Sequence, residues 1–294
     1  MNIVFNINRL ALEGLGATLS SLCRNCLVSN NIRITFLHTD LSDSDKGAVE
    51  NLMKQENYQG SIDFKLFDAK KNFGQFRSLH GDWTAYGRLL IPEIFSNELN
   101  VIYLDSDLII NFDVNEFEPH FIAKEAISAV IGSEVKWALE NKFLINIAKI
   151  PENKNYFNSG VLVFNIPAWH EEKLSEKWRS FPTSYYDEFR SADQTILNVL
   201  IKGNFHPLPK TFNNAWNPDK PEPEKLTQSI VHFVGSPKPW DLFGKFIHQG
   251  YPLFSTYNPD FWKKKYNQIS KDKLKRTYKI KKSILRILIK KITS

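Results

Sequence analysis

The chain has 294 residues, of which 42% are hydrophobic and 13% aromatic, enough to bury a sizeable core and too aromatic for general disorder. Its net charge of +6 is unevenly spread: residues 263–294 hold thirteen Lys or Arg and one acid, Asp272, while residues 1–262 hold 25 basic and 31 acidic side chains. No run of 18 apolar residues occurs, and Met1-Asn2-Ile3-Val4-Phe5 lacks the basic-then-apolar pattern of a secretory leader, so the expected compartment is the cytosol.

Along the chain, a short apolar strand is expected at 3–5, followed by Asn6 and Asn8 and a helix over 14–27. A strand at 32–37, a helix over 42–57 capped by Ser42 or Asp43, and a strand at 62–67 come next. Strands alternating with helices imply an α/β fold with a mainly parallel sheet, whose ligands bind at the carboxyl ends of the strands. Cys23 and Cys26 have the spacing of a redox pair or half a zinc site. No further ligands lie nearby, and helical spacing with Leu15, Leu19 and Leu22 assigns at least Cys26 to the core. Residues 73–81 read as a loop and 82–95 as a helix carrying Tyr86 and Arg88, the latter either solvated or turned to a ligand.

Val101-Ile102-Tyr103-Leu104 then forms a buried strand, broken by Asp105-Ser106-Asp107 before Leu108-Ile109-Ile110 resumes the pattern. Period-two geometry sends both carboxylates to one side, which suits a divalent cation shared with a diphosphate; a turn between edge strands explains the pair equally well. Residues 114–123 read as a helix and 126–131 as a strand. In Tyr156-Phe157-Asn158-Ser159-Gly160-Val161-Leu162 a glycine precedes an apolar strand, which marks a close backbone approach or a turn, and Asn158 beside it can hydrogen-bond a sugar hydroxyl. A helix is expected over 168–181. Ser191 or Asp193 would cap the next one, which leaves Gln194 unexplained at an otherwise apolar helix start. Prolines 207, 209, 218, 221 and 223 mark a long irregular stretch, with Trp216 as an exposed platform for a sugar. Finally, His232 ends a strand in Val231-His232-Phe233-Val234-Gly235-Ser236-Pro237-Lys238-Pro239-Trp240. Its imidazole can join carboxylates on a metal, and a lysine pinned between two prolines suits a leaving diphosphate.

These four motifs in this order make the chain, over roughly residues 1–250, resemble the family 8 glycosyltransferases, particularly the bacterial galactosyl- and glucosyltransferases of lipopolysaccharide outer core. The resemblance implies one GT-A type domain, a UDP-sugar donor, Mn²⁺ (or Mg²⁺) and transfer with retention to give an α-linkage. It implies Asp105, Asp107 and His232 as metal ligands and Gly235 and Lys238 as diphosphate contacts. Arg88, Asn158, Asp193 and Gln194 fall around the donor sugar, the last two as the catalytic pair, with Ser106 and Gly160 in the same motifs. Asn6 and Asn8 stand where relatives place an acid and a nearby tyrosine for the base; no aromatic follows here, so the stacking group comes from elsewhere or the stack is weak.

The expected organisation is a catalytic domain over 1–262 and a basic amphipathic tail over 263–294. In the tail Ile280, Ile284, Ile287, Leu288 and Ile292 line one helical face, and Lys275, Lys279, Lys282, Arg286 and Lys290 another. Such a helix suits the inner face of an anionic membrane and a lipid-linked or other glycan acceptor; no nucleic-acid motif accompanies it. The alternatives are a glycogenin-like self-glucosylating initiator, and a sugar-nucleotide or glycan-binding protein without activity.

Overall fold

The computed structural model describes residues 1–79 and 81–293, the side chains of 291–293 excepted. Seven strands form the main sheet: β1 (Asn2–Ile7), β2 (Arg33–His38), β3 (Ser61–Leu66), β4 (Asn100–Leu104), β6 (Ile127–Glu134), β7 (Asn155–Asn165) and β8 (His206–Leu208), in the order β3-β2-β1-β4-β7-β6-β8. All run parallel except β7, which is antiparallel to both neighbours. A small second sheet joins β5 (Leu108–Ile110), β10 (Ile230–His232) and β9 (Asn214–Ala215).

Both faces of the main sheet are covered, which is why its central strands are continuous apolar runs. Val4, Tyr103, Leu162 and Phe164 enter one core; Phe5, Ile102, Leu104, Val161 and Val163 enter the other. Phe5, Phe36 and Phe64 stack across three adjacent strands at 5.5 and 5.2 Å, each contact adding about 0.5–1.5 kcal/mol beyond burial. The helices are α1 (Leu12–Asn25), α2 (Asp43–Gln55), α3 (Ala69–Phe73), α4 (Ile91–Ile94), α5 (Asn141–Asn146), α6 (Ile166–Glu171), α7 (Leu174–Arg179) and α8 (Asp193–Ile201). After β10 come α9 (Gly244–Ile247), α10 (Tyr251–Tyr257), α11 (Asp260–Tyr266), α12 (Lys271–Lys279) and α13 (Lys281–Thr293). Ser42 caps α2 through a capping box with Asp45.

Several local expectations are corrected. The 82–95 segment is a 3-10 turn over Thr84–Leu90 leading into α4, with Pro92 in its first turn, where a missing N–H costs nothing. The 114–123 segment is likewise 3-10. The 168–181 helix divides into α6 and α7 at Lys173, which is left-handed. Gly160 lies inside β7 rather than before a strand. Trp216 is 2% exposed and packs against Phe233, so it presents no platform to a sugar. Cys23 and Cys26 are free and half-buried against the α1 core, and burial pushes their thiols up to about 12 and about 11, so neither is poised to react.

The boundary drawn at 262/263 falls within α11. Trp262 is fully buried, donates to the Leu12 carbonyl (2.7 Å) and occupies the space that a side chain at Gly16 would need. Ile284 and Ile287 of α13 pack with Ile280 against Ile247 of α9. Leu285, Leu288 and Ile289 remain largely exposed, and Ile292 lies outside the described side chains. Among the described residues no helix is long and apolar enough to cross a membrane.

Candidate functional site

The strand order reverses at β1, with β2 on one side and β4 on the other. A crevice opens at the carboxyl ends of strands at such a reversal. Asn6 and Asn8 come to it from the end of β1, and Asp105, Ser106 and Asp107 from the bend between β4 and β5. With Arg88 and Lys238 they line one cavity of about 460 Å³. The bend is held by Thr18 of α1, whose hydroxyl shares its single proton between the Ser106 and Leu108 carbonyls (2.9 and 2.7 Å) and accepts from Leu108 N–H (3.1 Å).

Asp105, Asp107 and His232 offer ligand atoms that all lie within 4.8 Å of one another. His232 Nε2 is 3.2 Å from Asp107 Oδ1 and 3.8 Å from Asp105 Oδ2. Asp107 Oδ1 is buried and accepts no hydrogen bond among the described residues. Its other oxygen pairs with Lys238 Nζ at 2.6 Å. Burial alone would push Asp107 up, but the ammonium of Lys238 beside it holds it well below the usual carboxylate range. Asp105 Oδ1 accepts from Tyr103 O–H (2.5 Å) and Arg88 Nη2 (2.9 Å).

A chain of amides fixes the histidine tautomer. Asn158 Oδ1 accepts from Gly160 N–H (2.9 Å), a backbone donor that settles which way this amide points. Asn213 must then give its NH₂ to the same oxygen (2.9 Å) and turn its own oxygen to His232 Nδ1 (2.9 Å). Nδ1 therefore carries the hydrogen, and Nε2 faces the carboxylates with a lone pair. Two carboxylates and an imidazole so oriented form a donor set that fits a divalent cation. Gly160 is needed for this approach: a Cβ there would stand 2.4 Å from His232 Cε1 and 2.9 Å from Asp105 Oδ2.

Arg88 is 6% exposed and clamps the site from behind. It lies 2.9 Å from both Asp105 and Asp193, bonds the Ser159 carbonyl and hydroxyl, and stacks on Tyr103 at 4.2 Å. Burial pushes Asp193 up to about 6, and Arg88 only partly offsets it. Neither Ser191 nor Asp193 caps α8; the N-cap is Ala192, at φ +50°, a left-handed strain that frees the Asp193 carboxylate for Arg88. Gln194 Oε1 accepts from Asn158 Nδ2 (3.2 Å) and Ser159 N–H (3.1 Å), and its NH₂ donates to Tyr156 (3.1 Å). Tyr156 in turn donates to buried Glu140 (2.6 Å), which also receives Ser191 and Thr195 (3.1 and 2.9 Å) and so braces the strained turn.

Asn158, Gly160, Asp193, Gln194 and His232 thus meet behind the cavity in one connected network. Gly235 forms the turn after β10 with φ +75° and stands outside the residues that line the cavity. Asn8 is already engaged, its oxygen accepting from Ala11 N–H (3.0 Å) and its NH₂ donating to Asp82. Asn213, Glu140, Asp241, Lys273 and Arg276 have no role in the sequence reading, and Tyr103 and Lys279 appear there only as a strand residue and as part of a charged helical face; Lys273, Arg276 and Lys279 of α12 line the cavity. Asp241 alone had a local signal, as the residue following the Lys238-Pro239-Trp240 motif.

Gly160→Ala is expected to force His232 or β7 to shift, costing about 1–3 kcal/mol in chemical unfolding. Glu13, paired with Lys273 at 3.5 Å, is raised from 4.5 to about 7 by burial, which Lys273 opposes. The folded chain therefore holds this proton more tightly than the unfolded one, so stability from this group falls as pH rises from 4.5 to 7. Glu13→Gln should flatten that part of the melting-temperature profile; parallel profiles for variant and wild type would contradict it.

The chain is 26% identical to a lipopolysaccharide 1,3-galactosyltransferase of Salmonella typhimurium, over 87% of this chain and 78% of that one. It is 24% identical to a lipopolysaccharide 1,2-glucosyltransferase of Escherichia coli K12, over 82% and 72%. Its fold matches that of the galactosyltransferase LgtC, solved with donor and acceptor sugar analogues, at a TM-score of 0.71 and 23% identity, covering 90% of this chain and all of that one. The family model of glycosyl transferase family 8 matches residues 2–243, and the chain belongs to that family.

Proposed function

We propose that the chain is a metal-dependent retaining hexosyltransferase that moves galactose or glucose from a UDP-sugar to a lipopolysaccharide or other surface-glycan acceptor, forming an α-linkage. The observation that carries this reading is the convergence of Asp105, Asp107 and His232 Nε2, with Lys238 paired to Asp107, at the wall of a cavity that Asp105, Asp107, Lys238, Asn6, Asn8 and Arg88 line. Those three side chains would hold Mn²⁺, or Mg²⁺ in its place, which supplies Lewis-acid stabilisation of the diphosphate when bound.

The chain's own groups account for the rest. Lys238 Nζ, paired with Asp107, stands ready to donate to the departing diphosphate where negative charge develops. The carboxamide of Gln194 has its oxygen occupied by Asn158 Nδ2 and Ser159 N–H, so it is a poor nucleophile. A covalent glycosyl intermediate of the kind two close carboxylates allow is therefore disfavoured. The reaction instead breaks the anomeric C–O bond to the diphosphate. The acceptor oxygen bonds the anomeric carbon on that same face, and the acceptor proton passes to a diphosphate oxygen. Arg88 keeps Asp193 and Asp105 in place, and Asn158 and Gln194, bonded to each other behind the cavity, brace the side of the site that would face the donor sugar. The names of the lipopolysaccharide-modifying relatives support the acceptor class.

Asp107→Asn is expected to lower Mn²⁺-dependent turnover at least about 10²-fold with the circular dichroism unchanged, measured on whichever of UDP-Gal, UDP-Glc, UDP-GlcNAc and UDP-GalNAc the wild type hydrolyses. Undiminished turnover would sink the metal assignment.

A second proposal concerns residues 263–294. The outer face of α13, with exposed Leu285, Leu288 and Ile289 beside Lys282 and Arg286, suits the anionic inner face of a membrane, at about 1 kcal/mol per basic residue near the surface. The full chain should sediment with phosphatidylserine vesicles, and Lys282→Glu with Arg286→Glu should leave it in the supernatant. Equal sedimentation of both proteins would refute this contact.

A further inference from the structure

One wall of the cavity comes from outside the main sheet. Helix α12 contributes Asp272, Lys273, Lys275, Arg276 and Lys279, followed by Ile280, to the same cavity as Asp105, Asp107 and Lys238. The helix is fixed there by two ion pairs. Lys273, 4% exposed, sits 3.5 Å from Glu13 and donates to the Asn267 carbonyl at 3.2 Å. Arg276 grips buried Asp241 with Nε (2.5 Å) and Nη2 (3.1 Å). Asp241 Oδ2 also accepts from Lys238 N–H at 2.6 Å, so α12 is tied to the loop that carries the lysine of the acid pair. A helix whose charges served solubility alone would not bury an ammonium group or spend a bidentate guanidinium inside the fold.

The charges of this wall are not all consumed. Asp241 engages two of the five N–H groups of Arg276, which leaves three on a residue that lines the cavity. Lys279 also lines it and pairs with no carboxylate among the described residues. Arg88, by contrast, is spent between two carboxylates. The divalent cation and Lys238 share their charge with Asp105 and Asp107 as well as with a diphosphate, and the further uncommitted cations lining the cavity are those of α12.

We propose that α12 is an anion-binding wall of the donor pocket, in which Arg276 and Lys279 contact the diphosphate of a bound nucleotide sugar and the Arg276–Asp241 pair positions the Lys238 loop around it. This rests on the reading of the cavity as a nucleotide-sugar site. The guanidinium, pre-oriented by Asp241, offers planar N–H groups to phosphate oxygens, and Lys279 adds a point charge.

The test is calorimetric titration of the full chain with UDP in saturating Mn²⁺, with uridine measured by competition as the ligand lacking phosphates. Arg276→Gln and Lys279→Gln are each expected to weaken UDP about tenfold, leave uridine unchanged and flatten the salt dependence of UDP binding; Arg276→Lys should recover part of the loss. Lys279 lies on an exposed turn of the helix, so its substitution leaves the fold intact even if Arg276→Gln does not. Two results would overturn the inference while leaving the nucleotide-sugar reading in place: unchanged UDP affinity in both variants, or equal weakening of UDP and uridine. A wild type that binds neither ligand would overturn the reading itself, and the inference with it.

Discussion

The site depends on two backbone N–H groups of β7. Those of Ser159 and Gly160 cannot change their hydrogen-bonding sense, and each dictates the orientation of a side-chain amide, Gln194 and Asn158 respectively. From Asn158 the instruction passes to Asn213 and on to His232, whose Nε2 is left as a ligand atom. An amide flipped anywhere along this line would oppose like groups at about 3 Å in a place shielded from water, where an unsatisfied polar atom costs about 1–3 kcal/mol. The tautomer of one imidazole is thus set by the sheet.

That arrangement needs β7 to run against its neighbours. In a fully parallel sheet the residues reaching the carboxyl edge would be those ending each strand. Reversal brings the early part of β7 there, so that Leu104 pairs with Val161 and Asn158, Ser159 and Gly160 lie beside Asp105. Both charge clusters then share one support, because Arg88 reaches the Ser159 carbonyl and hydroxyl as well as Asp105 and Asp193. Glu140 and the strained turn at Ala192 complete the far end of the network. Strain at that position persists because its neighbours over-determine it.

Much of this was legible in the sequence because the chemistry restricts residue type. Asp105, Asp107, His232 and Lys238 sit in short motifs at strand ends, and apolar periodicity placed β1, β2, β4 and α2 within a residue or two. Asn213 was invisible, since Phe212-Asn213-Asn214 carries no pattern and its role arises only when two distant segments meet over His232. Arg276 was counted only among the thirteen basic residues of the tail; nothing local tells a solvated arginine from one bound to Asp241, 35 residues away. Asp193 was assigned to a cap on propensity, and tertiary charge pairing overrode that preference. Trp216 was assigned to the surface because prolines surround it, although long irregular stretches can still bury their aromatics.

The last two helices give the molecule a mechanical property that the catalytic residues alone do not. α12 is moored to the cavity by Glu13 and Asp241, α13 follows after Ile280, and Ile284 and Ile287 anchor α13 to α9. Were α13 to rest on a surface as proposed, the tilt of the crevice mouth relative to it would be prescribed by the fold, and a tethered substrate would arrive from one fixed direction.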